Sequence, residues 1–272
     1  MTELPQWSVD FEADRLGEVV ALPLQDIREW AFGGATGGGI QVAVIDSGVD
    51  ADHPAVGSVA GWATVVDDLD APGGHRVVEE PHQDLVGHGT ACAGIIRSMA
   101  PDVDIVSVQV LGANMKTRGT RFVTGLQWAV DHGVHTANLS LSSRSEQLYA
   151  PLHQVCSDAY FARIPLICAA NNVPGPTYPA VYPSVISVAA RSGQDPWALA
   201  CNPHPPVEFG AAGIDVEVPW ADGSRIVATG NSFSAAYVTG MVAALLSKHP
   251  WLTVYQVKVV LQAISDNAVP PL

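Results

Sequence analysis

A chain of 272 residues, 48% hydrophobic and 15% charged, can bury a large core without disulfides or structural metal, which excludes a disordered or staple-dependent protein. Its formal charge of −14 repels phosphate and anionic lipid, so neither nucleic acid nor a membrane surface is an expected partner. No run reaches the roughly 18 consecutive apolar residues of a membrane span.

Residues 1–14 are acidic and lack the basic-then-apolar pattern of an export signal. Residues 1–21 read as an irregular N-terminal arm, and 22–272 as one domain with no linker or repeat inside it. Unbroken apolar runs at 40–45, 105–110, 166–170 and 185–190 are expected to be strands buried on both faces, the mark of a parallel sheet. Between them, 120–132 sets Phe122, Val123, Leu126 and Val130 at helical spacing, and 147–162 is also expected to be helical. A hairpin is expected from 216–218 and 226–228 around Ala221-Asp222-Gly223. A helix rich in Ala, Val and Leu, expected to be almost wholly buried, follows at 232–248, then a break at Pro250. Thr253 begins a last helix with Gln256 as its capping-box partner. Alternating strands and helices predict one α/β domain with helices on both faces of a mainly parallel sheet. Four scattered cysteines, Cys92, Cys156, Cys168 and Cys201, form no CxxC pair. They are expected to be buried free thiols in a reducing, cytosolic compartment.

Three segments carry candidate chemistry. Val42-Ala43-Val44-Ile45-Asp46-Ser47-Gly48 ends a buried strand in a carboxylate, where α/β sheets place their ligands. Gly87-His88-Gly89-Thr90 starts a small-residue helix with a histidine flanked by glycines, which permit close backbone approach. Gly230-Asn231-Ser232 sets a hydroxyl at the head of the long apolar helix, where serine is an ordinary N-cap unless a base reaches it.

Together, in the order Asp, His, Ser, these segments resemble the subtilisin-like (subtilase) family. Asn138-Leu139-Ser140-Leu141 resembles the family's substrate-binding strand, and Ala169-Ala170-Asn171-Asn172 the segment of its oxyanion asparagine. The resemblance covers roughly residues 27–264. It implies a single three-layer subtilisin-like domain and a serine endopeptidase with Asp46, His88 and Ser232 as triad and Asn172 as oxyanion donor. Substrate-binding residues are then Ser140, Leu141, Ser142, Ser143, Ala169, Ala170 and Asn171.

The departures from the family are specific. Asn231 stands where threonine is usual, and Ala236 where proline is. Asn171 replaces a glycine, a position where asparagine tolerates left-handed backbone, and Ser142-Ser143 replace two glycines. Bulk at these positions predicts a more selective enzyme. Cys92 matches a cysteine of proteinase-K-like members and is expected to be structural beneath His88. Ala55 falls where many relatives have a calcium-ligating aspartate, and 97–101 is too short for their calcium loop, so no metal or cofactor is expected. With the starting Met and no inhibitory prodomain before Ile40, the expectation is a cytoplasmic processing protease acting on a polypeptide, such as a dedicated precursor peptide. The competing readings are an inactive fold that binds peptides or proteins, and an esterase or ligase on the same scaffold.

Overall fold

Apolar continuity in the strands and small residues in two helices set the architecture of the computed structural model. It describes residues 8–12, 14–17, 19, 20, 25–173 and 175–269. After a 3-10 turn at Ser8–Phe11 come β1 (Val19–Val20), α1 (Ile27–Phe32), β2 (Gln41–Asp46), β3 (Gly61–Asp67) and β4 (His75–Val78). The middle of the chain supplies α2 (His88–Met99), β5 (Asp104–Gln109), α3 (Gly119–Asp131), β6 (Thr136–Leu139), α4 (Tyr149–Phe161), β7 (Leu166–Ala169) and β8 (Ile186–Arg191). The last third contains β9 (Leu199–Cys201), β10 (Phe209–Ala212), β11 (Val216–Pro219), β12 (Arg225–Ala228), α5 (Asn231–Lys248), α6 (Val254–Ala263) and β13 (Ala268–Val269).

Nine strands form the main sheet in the order β4-β3-β5-β2-β6-β7-β8-β10-β9, parallel except for β4 and β9 at its two edges. Successive side chains of a strand point to opposite faces. Val42, Val44, Ile105, Ile167 and Val188 accordingly pack with residues of α2, α5 and α6, whereas Ala43, Ile45, Val106, Val108 and Leu166 pack with α3 and α4. Both faces are thereby covered, and the strands lack polar alternation for that reason.

Each strand and helix expected from periodicity is present within two residues of its expected limits, and the Thr253–Gln256 capping box forms with both reciprocal hydrogen bonds. The arm expected to be irregular over 1–21 is more ordered in its described part. It holds the 3-10 turn and β1, which runs parallel to β13. Phe11 (3% exposed) anchors it over Gly210, where any side chain would strike the ring, and Asn267 Nδ2 donates to Gly17 O at 2.7 Å. Residues 1–7, 13, 18 and 21 lie outside the described residues.

Helices α2 and α5 cross at Gly240, where a Cβ would sit 2.5 Å from Met99 Cβ and 3.1 Å from Ile96 O. Elsewhere in a helix, Gly→Ala gains about 1 kcal/mol of stability. Here Gly240→Ala is expected to lose about 1–3 kcal/mol, because the crossing is already filled. A urea titration reads the sign, and a raised midpoint would show slack between the helices.

Candidate active site

The sheet order reverses direction at β2, which has β5 on one side and β6 on the other. Such a switch opens a crevice at the carboxyl ends of the strands. Asp46 closes β2 there with no solvent exposure. Its Oδ1 accepts from Ser47 N–H at 2.7 Å, and His88 Nδ1 lies 2.8 and 2.9 Å from the two carboxylate oxygens. A carboxylate offers only acceptors, so Nδ1–H is the donor and Nε2 keeps the lone pair.

Two glycines allow that approach. Gly87 precedes α2 at φ 106°, a left-handed conformation, and a Cβ on it would lie 2.6 Å from Ala221 N. A Cβ on Gly89 would overlap Gly48 O and meet Asp46 Cβ at 3.1 Å. His88 is mostly covered (side chain 12% exposed), with Phe233 against its ring (centroids 5.9 Å apart) and Trp220 edge-on at 6.5 Å.

Asp84, four residues before His88, was not singled out from the sequence. Its Oδ1 accepts from Ser47 Oγ and Val86 N–H, its Oδ2 from Thr90 N–H and Thr90 Oγ, all at 2.6–2.9 Å. It thereby fastens the head of α2 to the residue after Asp46. Burial alone would raise this carboxyl, but the donors of Gly87, Thr90 and Val86 outweigh it and hold it below the ordinary aspartate value. For His88, burial works against the charged ring, yet the charge and hydrogen bond of Asp46, with the more distant charge of Asp84, leave it above the ordinary histidine value.

Ser232 stands second in α5, 9% exposed. Its hydroxyl donates to Ser140 O at 3.4 Å rather than to His88, a long contact for an O–H···O bond. Beneath it runs a buried polar chain: Thr239 Oγ1 lies 2.8 Å from Ala235 O and 3.1 Å from Asn138 Oδ1, Asn138 Nδ2 donates to Ser140 Oγ at 2.9 Å, and Ser140 Oγ donates to Ser232 O at 3.3 Å. Cys92 Sγ touches the same Ser140 Oγ at 3.4 Å and is fully buried. Burial pushes its thiol well up, so it is not an available nucleophile. Among the described residues, Asp46, His88 and Cys92 are the one group of three or more His, Cys, Asp or Glu whose ligating atoms all lie within 4.8 Å of one another. Two of its three members are already bonded to each other.

A cavity of about 420 Å³ opens beside Ser232. All seven candidate substrate-binding residues line it: Ser140, Leu141, Ser142, Ser143, Ala169, Ala170 and Asn171, together with Asn172. Ser143, however, exchanges both backbone hydrogen bonds with Tyr178 at 2.8 Å, so its backbone is not free to pair with a substrate. Asn171 does not use the left-handed backbone its residue type allows; the non-glycine residues with positive φ are elsewhere. The opposite wall, with Leu111, Met115, Thr117 and Phe122, was not foreseen. Its signal was available in the apolar run 105–110, whose outgoing loop had to leave at the carboxyl ends of the same parallel strands. Asn172 accepts Asn231 N–H on Oδ1 at 3.1 Å, which assigns the flip of its amide and leaves Nδ2 as the free donor, on the side of Gly230.

The folded chain binds the Asp84 proton more weakly than the unfolded chain. The stability from Asp84 is therefore fully present above about pH 4 and drains as the pH falls through the lowered folded value. Asp84→Asn is expected to flatten the acid limb of the stability–pH curve. It should also move the His88 titration, followed by NMR, toward lower pH by removing a negative charge. An unmoved His88 would mean that Asp84 acts on the backbone alone.

The chain matches the Subtilase family over residues 37–270. It is 30% identical over 243 residues to subtilisin E of Bacillus subtilis (strain 168), an alignment that takes in 83% of this chain and 60% of that protein's length. It is equally similar to a subtilisin of Bacillus pumilus, with 83% of each chain aligned. Of solved structures, a cold adapted subtilisin-like serine proteinase superposes with a TM-score of 0.67 at 24% identity, covering 94% of this chain and 90% of the other. Sphericase does so with a TM-score of 0.68 at 20% identity, covering 94% and 88%. At these identities the structural likeness bears on the fold, and there it shows the same α/β architecture. By its sequence across 37–270, the chain belongs to the subtilase family.

Proposed function

We propose that this chain is a serine endopeptidase that hydrolyses peptide bonds through an acyl-enzyme on Ser232. The observation that carries the reading is the Asp46–His88 hydrogen bond, with the imidazole packed against Phe233 at the head of α5, beside an asparagine whose free amide donor borders the same cavity. Rotation about the Ser232 side-chain bond releases its weak contact with Ser140 O and offers the hydroxyl to His88 Nε2. Catalytic hydrogen bonds are commonly loose without substrate. His88 takes the proton as Ser232 Oγ attacks the scissile carbonyl, and Asp46 stabilises the imidazolium. The oxyanion receives Asn172 Nδ2 and the Ser232 N–H, which at the second helical position has no intrahelical acceptor. His88 then protonates the leaving amine, and water releases the acyl group by the reverse path.

The substrate is a polypeptide held in a restricted cleft, which supports limited processing of a dedicated precursor over general digestion. Side chains at Ser142, Ser143 and Asn171 occupy the cavity wall, and Ser143 is tied to Tyr178, leaving Leu141 and Ser142 to pair with an extended chain. A cytoplasmic setting fits the four cysteines, all buried and unpaired.

One observation favours a second reading, an inactive subtilase fold that binds peptides: the Ser232 hydroxyl rests on Ser140 O. A fluorophosphonate probe separates the two. The peptidase reading expects labelling of the native chain that is lost in Ser232→Ala, and a narrow set of cleavage sites in a diverse peptide pool. A folded native chain that takes no label and releases no products would leave the binding module.

A further inference from the structure

Beyond Ala169, strands β7 and β8 separate, and a single side chain occupies the gap between them. They pair in parallel as far as Ala169 and Val188, and Ala170 N–H still donates to Val188 O at 2.8 Å. The next rung of a parallel ladder would run from Ala190 N–H to Ala170 O. Instead, Ala190 N–H donates to Asn231 Oδ1 at 2.8 Å, and Asn231 Nδ2 donates to Ala170 O at 2.9 Å. The carboxamide has the donor and acceptor of a peptide group and is spliced into the ladder as one. It holds the strands apart by its own width at the point where the chain turns toward Asn172.

The same residue reaches further along that turn. Its Nδ2 also approaches Asn171 O at 3.2 Å, and its backbone N–H donates to Asn172 Oδ1 at 3.1 Å. Asn231 is fully buried and directly precedes Ser232, so these bonds tie the loop carrying the oxyanion donor to the helix carrying the nucleophile. We infer that Asn231 is a positioning residue: it sets the distance and orientation of Asn172 relative to Ser232. The kinetic consequence rests on the peptidase reading; the splice itself does not.

The residue type matters. A threonine, usual in the family at this position, has one oxygen on a shorter stem and cannot present a separate donor and acceptor to Ala170 and Ala190. An aspartate keeps the size but faces the carbonyls of Ala170 and Asn171 with an acceptor, which is repulsive where burial excludes water.

The test compares the native 272-residue chain with Asn231→Asp, Asn231→Thr, Asn172→Ala and the double variant Asn231→Asp/Asn172→Ala, using peptide hydrolysis and amide hydrogen exchange. Removing a subtilisin's oxyanion asparagine lowers kcat by about 10²–10³-fold. Asn231→Asp is expected to lower kcat by about 10–100-fold through misplacement of that donor, with KM within about threefold of the native value. In the double variant kcat should fall no further than in Asn172→Ala alone, because the two act as one unit. Exchange should quicken at the Ala190 amide and over 170–172. Asn231→Thr, a residue the fold accommodates in relatives, should show a smaller loss with the same exchange pattern, and it serves if the aspartate variant does not fold. Losses that multiply in the double variant, or unchanged kcat, would overturn the inference. A native chain that cleaves no peptide, with exchange quickened at Ala190 in the variants, would end the peptidase reading and leave the splice standing. Unchanged exchange would end the splice whatever the activity.

Discussion

A carboxyl group with no solvent exposure ends the central strand, and much of the surrounding structure answers its need for donors. Leaving a buried charge unpaired costs several kcal/mol. Asp46 is met by one backbone N–H and one imidazole, and each requires its neighbours to be small or bent in a particular way. Gly89 lets α2 lie against the turn at Gly48, Gly87 takes the left-handed conformation that starts the helix at His88, and Asp84 fastens that start to Ser47. A larger residue at 89 would push the imidazole away from Asp46 and leave the carboxyl exposed to its full desolvation cost.

The second half of the site depends on the sheet in a different manner. β6 and β7 end side by side, and the peptide groups past their ends form a cavity instead of further ladder. Ser140 binds Asn138, Cys92 and Ser232 and so connects the sheet, α2 and α5 in one buried network. Such a network rigidifies when every member is satisfied. The cavity walls are thus held by the sheet, while the Ser232 hydroxyl, on a 3.4 Å contact, remains the part of the site most easily re-aimed.

Long apolar runs and helical spacing were enough to place β2, β5, β7, β8, α3, α4 and α5, because burial on two faces forces continuous hydrophobic sequence. The three candidate residues stood out for another reason: each alone has an ordinary structural reading, but their segments taken together, in the order Asp, His, Ser, resemble the subtilase family. β10, with sequence Phe209-Gly210-Ala211-Ala212, was not legible, since glycine and alanine are poor strand formers and its burial comes from tertiary packing against β8 and Phe11. β3 and β4 were obscured by the acidic turn between them, and β1 and β13 by their two-residue length. Asp84 and the Asn231 splice carry no sequence signal of their own. Asn231 bonds backbone groups and Asp84 bonds two backbone N–H groups and the hydroxyls of Ser47 and Thr90, and pairings of that kind are invisible to composition and periodicity.

In the proposed peptidase, His88, Ser232 and Asn172 converge on one reacting carbonyl. The most direct measurement is a crystal structure of the chain with a peptide boronate, whose tetrahedral adduct mimics that state. A working triad should give a covalent bond from Ser232 Oγ to boron, with one boronate oxygen about 2.7–3.1 Å from Asn172 Nδ2 and the other within reach of His88 Nε2. An inhibitor seated in the cavity without the bond, with the Ser232 hydroxyl still on Ser140 O, would contradict it.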